Sequence, residues 1–155
     1  DAADPTSVGD VLVKTGTTLV SKVGGAAGPL YGTAFRAIGK ALPAESATVD
    51  AAELGAALRA GLAAVQKLGA AVPGDKTIVD AYGPAVAAFE KAADDGLPAA
   101  ARAATEAAAE GMRATIELHA RKGRASYLGP RSVGHQDPGA TSTWLIFKAL
   151  ADVTS

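Results

Sequence analysis

Apolar residues recur at helical spacing along nearly the whole chain. Val8, Leu12, Leu19 and Val23 come first, behind Ser7 and Asp10, which are spaced as a capping-box-like helix start. That helix is expected to stop at Val23, where VGGAAGPLYG brings in Gly24, Gly25 and Gly28. A second is expected to start with Pro29 at its first position and to carry Leu30, Phe35 and Ile38 to about Leu42, with Pro43 ending it. Asp50 and Glu53 form the next capping box, and Leu54, Leu58, Leu62, Val65 and Leu68 follow at spacings of three and four, up to Gly69. In AAVPGDKT, Asp75 is expected to cap a fourth helix with Ile78, Tyr82, Val86 and Phe89 on one face. Pro84 should kink that helix, and Asp94, Asp95 and Gly96 should break it.

A long helix is predicted over 98–121, alanine-rich at first and then carrying Met112, Ile116 and His119. Arg121, Lys122 and Arg124 fall at its C-terminal end, where the helix dipole favours cations. The last helix is expected over 138–153, with Asp137 as N-cap and Pro138 at the first position. Its Trp144, Leu145, Ile146 and Phe147 are consecutive, which predicts burial on most sides. Residues 1–6 read as a tail, and no strand-length β-branched alternation occurs. The expected fold is all-α: six helices in an up-and-down antiparallel bundle, joined mostly by short loops.

One stretch escapes this periodicity. KGRASYLGPRSVGHQDPGATSTW, residues 122–144, holds four glycines, two prolines, two arginines, one of the two histidines and the only Trp. About fifteen residues without periodicity inside a compact domain mark a functional or a disordered loop. Up-and-down order puts this loop at the same end as VGGAAGP and GAAVPGD, and each of the three leads into a helix N-terminus, at Pro29, Lys76 and Pro138. Helix N-termini offer unpaired N–H groups, each worth roughly 0.3–1 kcal/mol toward an anion when exposed. Three of them with Arg124 would make a phosphate site; on the other reading, the glycines and prolines only end helices.

Composition narrows the alternatives. The chain has 155 residues, enough for one domain, and is 48% hydrophobic but only 5% aromatic, so its core is built from small and aliphatic side chains that let helices approach closely. A net charge of -1 gives no field that argues for nucleic acid or an acidic membrane. The absence of cysteine excludes disulfides, thiolate metal sites and cysteine nucleophiles. No apolar run approaches the roughly 18 residues that span a bilayer. With no visible signal peptide, a cytoplasmic location is expected; the start at Asp1 without Met suggests a segment upstream.

KGRASYLGPRSVGHQDPGA strongly resembles the signature of the DhaL domain, the nucleotide-binding part of dihydroxyacetone kinases. TLVSKVGGAAGPLYGT and PGDKT resemble further segments of that family in the same order and spacing, so the likeness covers the chain from about Val8 to Ala151. The resemblance implies an up-and-down barrel of eight helices that binds ADP or ATP with Mg2+ ions at one rim. It further implies phosphoryl delivery to dihydroxyacetone held on a histidine of a DhaK-type partner subunit or domain. By position, Ala26 and Ala27 resemble residues that line the nucleotide through backbone N–H groups, beside Gly24 and Gly25. Many relatives have Ser where Ala27 stands. Gly69 and Ile78 resemble positions bordering the adenine, Arg124 the arginine facing the phosphates, and Asp137, Pro138 and Gly139 the turn that closes over the nucleotide.

One departure is large. The family holds its metal with aspartates of a Gly-Asp-x-Asp-His-Gly motif after the first helix, and this sequence has no such motif; the DAAD at its start does not match it. The six helices look like the later six of the eight, so the chain is expected to be a single DhaL-like domain lacking the first helix and the metal loop. It therefore has no metal ligands or catalytic residue assigned and is expected to be inactive alone.

His119 reads as a structural histidine on an apolar helix face, and His135 as a residue that fixes the loop. Trp144 reads as core, Asp75 and Lys76 as a cap and a solvated charge, and Arg131 as free to face a partner. The phosphoryl source is either a DhaM-type phosphohistidine carrier of the phosphotransferase system, which rephosphorylates bound ADP, or exchanging ATP. Alternatives are a related kinase domain for another small ketose or a fatty acid, and a non-catalytic helical scaffold. A homodimer is compatible with the sequence.

Overall fold

The computed structural model describes residues 5–155, so the DAAD segment lies outside the described residues. The described residues hold six α-helices and three 3-10 turns, with no strand among them, and the chain divides into two compact units, Asp1–Gly69 and Ala70–Ser155.

The first unit contains α1 (Val8–Lys22), α2 (Ala27–Ala41) and α3 (Ala51–Gly69). Ser7 caps α1 by accepting the Asp10 amide at 3.1 Å. α1 and α2 meet at glycines. A Cβ on Gly16 would lie 2.5 Å from the Gly32 carbonyl oxygen, and one on Gly32 2.6 Å from that of Gly16. Gly9 and Gly39 repeat this contact at 2.7 and 2.5 Å. The pairing order shows that the helices are antiparallel. Gly9 and Gly16 are the buried residues of α1, so α1 docks through a glycine edge; of the expected stripe, Val8, Leu12 and Leu19 are half-buried and Val23 is exposed.

α2 begins at Ala27, two residues before Pro29; proline is tolerated there because first-turn N–H groups have no helical acceptor. The predicted capping box of α3 is present in both directions: the Glu53 amide donates to Asp50 at 2.8 Å and the Asp50 amide to Glu53 at 3.0 Å. Leu54, Leu58 and Val65 are buried as the spacing predicts, and Leu68 is exposed. A Cβ on Gly69 would stand 3.4 Å from the Leu30 side chain, so the end of α3 lies beside the start of α2.

The second unit contains α4 (Ile78–Lys91), α5 (Leu97–Ala114) and α6 (Pro138–Thr154), with 3-10 turns at Ala93–Asp95, Thr115–Glu117 and Arg124–Ser132. Val79, Val86 and Phe89 of α4 are essentially inaccessible, and Tyr82 meets Phe147 of α6 edge-on at 5.6 Å between ring centres. Ala100, Ala101, Ala104 and Ala108 form the buried side of α5. α4 runs uninterrupted through Pro84. Proline has no N–H, which leaves the Asp80 carbonyl without its helical donor. Gly111 of α5 lies against that oxygen: a Cβ there would stand 2.2 Å from it. α5 and α6 are antiparallel, tied at one end by Thr105 donating to the Phe147 carbonyl at 2.9 Å and at the other by the Asp137 amide donating to Thr115 Oγ1 at 2.9 Å.

Two expectations are corrected here. α5 ends at Ala114, not at residue 121, because tertiary bonds take over the chain: the Ile116 carbonyl accepts the Gly134 amide and the Asp75 carbonyl accepts the Arg121 amide. α6 is not buried on most sides. Ala140, Thr143 and Phe147 face inward, Trp144 packs half-buried against Ala81, Met112 and Ala140, and Leu145 and Ile146 are exposed.

Glycine substitutions separate contact from propensity. Gly16→Ala and Gly111→Ala force backbone apart and should each destabilise by about 1–3 kcal/mol in denaturant unfolding. Gly83→Ala, inside α4 but directly before Pro84, sets gained helix propensity against a clash of the new Cβ with the proline ring and should change stability by less than about 1 kcal/mol.

Candidate functional site

In the first unit, the 23–27 turn leaves the N-terminus of α2 open. Val23 closes α1 in an extended conformation with its amide on the Leu19 carbonyl, and Gly25 takes φ +69°. Ala26 stands at the N-cap and supplies no side-chain cap. Gly24, Gly25, Ala26 and Ala27 are all exposed, and nothing lies within 4 Å of a Cβ built on either glycine. Backbone amides at a helix start, uncapped and unobstructed, suit an anion. Gly69 lies at this same end of the unit, next to Leu30.

In the second unit, the loop before α4 and the long loop before α6 are knitted together. The 70–77 loop contains three residues of left-handed backbone: Ala70 (φ 47°), Gly74 (φ 93°) and Lys76 (φ 63°). Two of the three are not glycine, an arrangement that costs energy and persists only when the surroundings enforce it. The cap of α4 is Thr77, not Asp75: Thr77 Oγ1 accepts the Val79 amide, and Asp80 reaches back to the Thr77 amide at 2.7 Å. Asp75 instead closes the loop on itself, accepting the Val72 amide at 3.0 Å.

Lys76 is not a solvated charge. It is 3% exposed, and its Nζ donates to the Leu118 carbonyl at 3.0 Å and the Ser132 carbonyl at 2.5 Å. Ser132 adds a second tie, accepting the Ala120 amide at 2.9 Å while donating to the Gly129 carbonyl at 2.7 Å. Gly129, at φ 57° and ψ -133°, turns the chain between two 3-10 segments, a conformation that a side chain would oppose.

These ties bring Ile78, Asp137, Pro138 and Gly139 together. A Cβ on Gly139 would stand 3.0 Å from Ile78 Cγ1, so the first turns of α4 and α6 abut. Asp137 caps α6 as expected, accepting the Ala140 amide at 2.7 Å. Burial is the main cause that pushes its carboxyl above the ordinary 3.8; backbone hydrogen bonds from Ala140 and Gly139 and the Lys76 charge pull it down, and the Asp80 charge pushes it up. Arg124 is exposed at the start of the 3-10 stretch, as are Arg131 and His135 further along. His119 is corrected: it is exposed and lies outside any helix, not on an apolar face. Lys76, Thr115 and Ser132 organise this end and were not among the expected site residues. A lysine in a Pro-Gly-Asp turn carries no local sign of burial. Among the described residues no group of three or more His, Asp or Glu is placed to hold a metal ion.

The described residues form an all-helical domain in which the start of α2 has no side-chain cap, while the starts of α4 and α6 are capped. The model of the DAK2 domain matches residues 1–152, and the chain belongs to that family. It is 45% identical over 149 residues to the ADP-binding subunit DhaL of PEP-dependent dihydroxyacetone kinase 1 of Listeria innocua, covering 95% of this chain and 69% of the relative. It is 46% identical over 147 residues to the corresponding Escherichia coli subunit, covering 93% and 69%. Among solved structures it resembles the dihydroxyacetone kinase of C. freundii in complex with AMP-PNP and Mg2+, with a TM-score of 0.68, 28% identity, and coverage of 95% of this chain and 23% of that one.

Asp137 gives a test of the charge balance. Because its folded-state pKa is raised, its contribution favours the fold below pH 3.8 and is lost as pH rises through the folded value. The stability difference between wild type and Asp137→Asn, which keeps the cap acceptor, should therefore shift toward the variant as pH rises through that window. Asp137→Ala loses the cap and should cost about 1 kcal/mol at neutral pH. A difference between wild type and Asp137→Asn that does not change with pH would refute the burial effect.

Proposed function

We propose that this chain is the nucleotide-binding part of a dihydroxyacetone kinase, acting with a separate DhaK-type subunit or domain that holds the substrate. The observation that carries this reading is identity of 45–46% to two DhaL subunits over nearly the whole chain. The start of α2 supports it, because its exposed backbone carries no side-chain cap and a helix start suits an anion. The residues assigned to the nucleotide are Gly24, Gly25, Ala26, Ala27 and Gly69 of the first unit, and Ile78, Arg124, Asp137, Pro138 and Gly139 of the second.

Both relatives are PEP-dependent by name, which favours bound ADP rephosphorylated by a DhaM-type phosphohistidine carrier over exchanging ATP. Magnesium accompanies the nucleotide in the C. freundii complex, and no residue of this chain is assigned to it. A cytoplasmic setting fits a phosphocarrier route, and no helix among the described residues is long and apolar enough to cross a membrane.

Titration of the full-length polypeptide with Mg-ADP tests the reading. At about 100 times the dissociation constant, binding should stabilise the fold by about 2.7 kcal/mol, seen as a raised Tm. Arg124→Ala should weaken Mg-ADP roughly ten- to hundredfold, as expected for a charge-assisted hydrogen bond. An unmoved Tm would leave the helical-scaffold reading standing. The 155-residue chain assayed alone should show no turnover of dihydroxyacetone; measurable turnover would refute the need for a partner.

A further inference from the structure

Lys76 combines two costly features in one residue. Its backbone is left-handed without being glycine, and its ammonium is buried. Neither feature is needed to start α4, because Thr77 and Asp80 already complete that cap. What the ammonium does is join two carbonyls that lie far apart in the chain: Leu118, where the chain leaves the 3-10 turn after α5, and Ser132, where the 3-10 stretch bearing Arg124 ends. One side chain from the loop before α4 thus closes both ends of the segment that leads to α6. The inner tie runs between the same ends, from the Ala120 amide to Ser132 Oγ. The segment between is otherwise exposed, with Tyr127 87% accessible and Arg124, Leu128 and Arg131 also outward. Closing such a loop costs chain entropy. A group that fixes its ends therefore settles where its exposed cation stands.

We infer that Lys76 is a positioning residue: its ammonium clamps the 118–132 segment and so holds Arg124 where it meets the ligand. The clamp is drawn from this chain's own geometry; that the ligand is a nucleoside diphosphate rests on the function proposed above. A methionine in its place keeps the apolar stem but leaves the Leu118 and Ser132 carbonyls without their shared donor. Arginine keeps the charge and the donors, though not the single-point geometry.

Amide hydrogen exchange on the full-length polypeptide, compared among wild type, Lys76→Met and Lys76→Arg, reads the clamp directly. Lys76→Met should speed exchange at residues 120–134 about tenfold or more while amides within α4 and α5 stay protected, and Lys76→Arg should restore part of the protection. Binding then separates positioning from general loss of structure: Lys76→Met should weaken ADP about tenfold yet leave adenosine within twofold. Parallel acceleration across all helices, equal weakening of ADP and adenosine, or an unchanged loop would each overturn the inference. If Lys76→Met does not fold, Lys76→Gln, a shorter single-armed donor, carries the same comparison. A wild type that binds no ADP refutes the nucleotide reading and the ligand assigned to the loop, while the exchange comparison still decides the clamp.

Discussion

Gly16 and Gly32 approach so closely that neither can carry a side chain, and Gly111 stands as close to the carbonyl of Asp80. Helix backbones in both units therefore touch. That constraint explains a chain rich in alanine and glycine and poor in aromatics. Small side chains bury little apolar area each, so cohesion depends on many short contacts between atoms at van der Waals distance. Such packing is rigid and intolerant of added volume. It gives the loops at the helix ends a firm base while using few large residues.

Pro84 shows how packing and sequence anomalies offset one another. Alone, a proline inside a helix removes a hydrogen bond and bends the axis. Here the freed Asp80 carbonyl lies against Gly111 of α5, a residue with no Cβ. Asp80 also works through its side chain, which completes the α4 cap and accepts the Gly74 amide. Backbone contact on one side and capping on the other place α4 relative to the loop that precedes it.

The end of the second unit formed by the α4 and α6 starts is held by buried polar groups. Lys76, Thr115, Ser132 and Asp137 are each buried, and no buried side-chain nitrogen or oxygen among the described residues lacks a hydrogen-bond partner. A satisfied polar network in a low-dielectric setting is directional, so it specifies one arrangement of loops that lack helical bonds of their own. Burial raises the Asp137 pKa, while the Ala140 and Gly139 amides and the Lys76 charge oppose the shift. The exposed arginines stand outside this network, on a loop whose two ends it holds.

The helices of this protein were legible from spacing alone, because amphipathic periodicity and caps are local: the Asp50–Glu53 box, the Asp137 cap and the Leu54–Leu58–Val65 face all stand where the sequence puts them. The long motif likewise announced a DhaL-type chain before any coordinates. The end of α5, the outward position of His119 and the exposure of Leu145 and Ile146 were not legible, since each depends on what another segment offers at that point. Asp75 and Thr77 are both good cap residues by type; Thr77 is selected by Asp80 three residues on, a local capping-box spacing that an assignment of the cap to Asp75 overlooks. Lys76 marks the limit most clearly. A lysine beside a turn glycine reads as solvated, and only the folded chain brings two distant carbonyls to its ammonium. Local propensity thus determined the elements, and long-range hydrogen bonding and backbone contact decided where they stop, which faces they cover and which polar groups are enclosed.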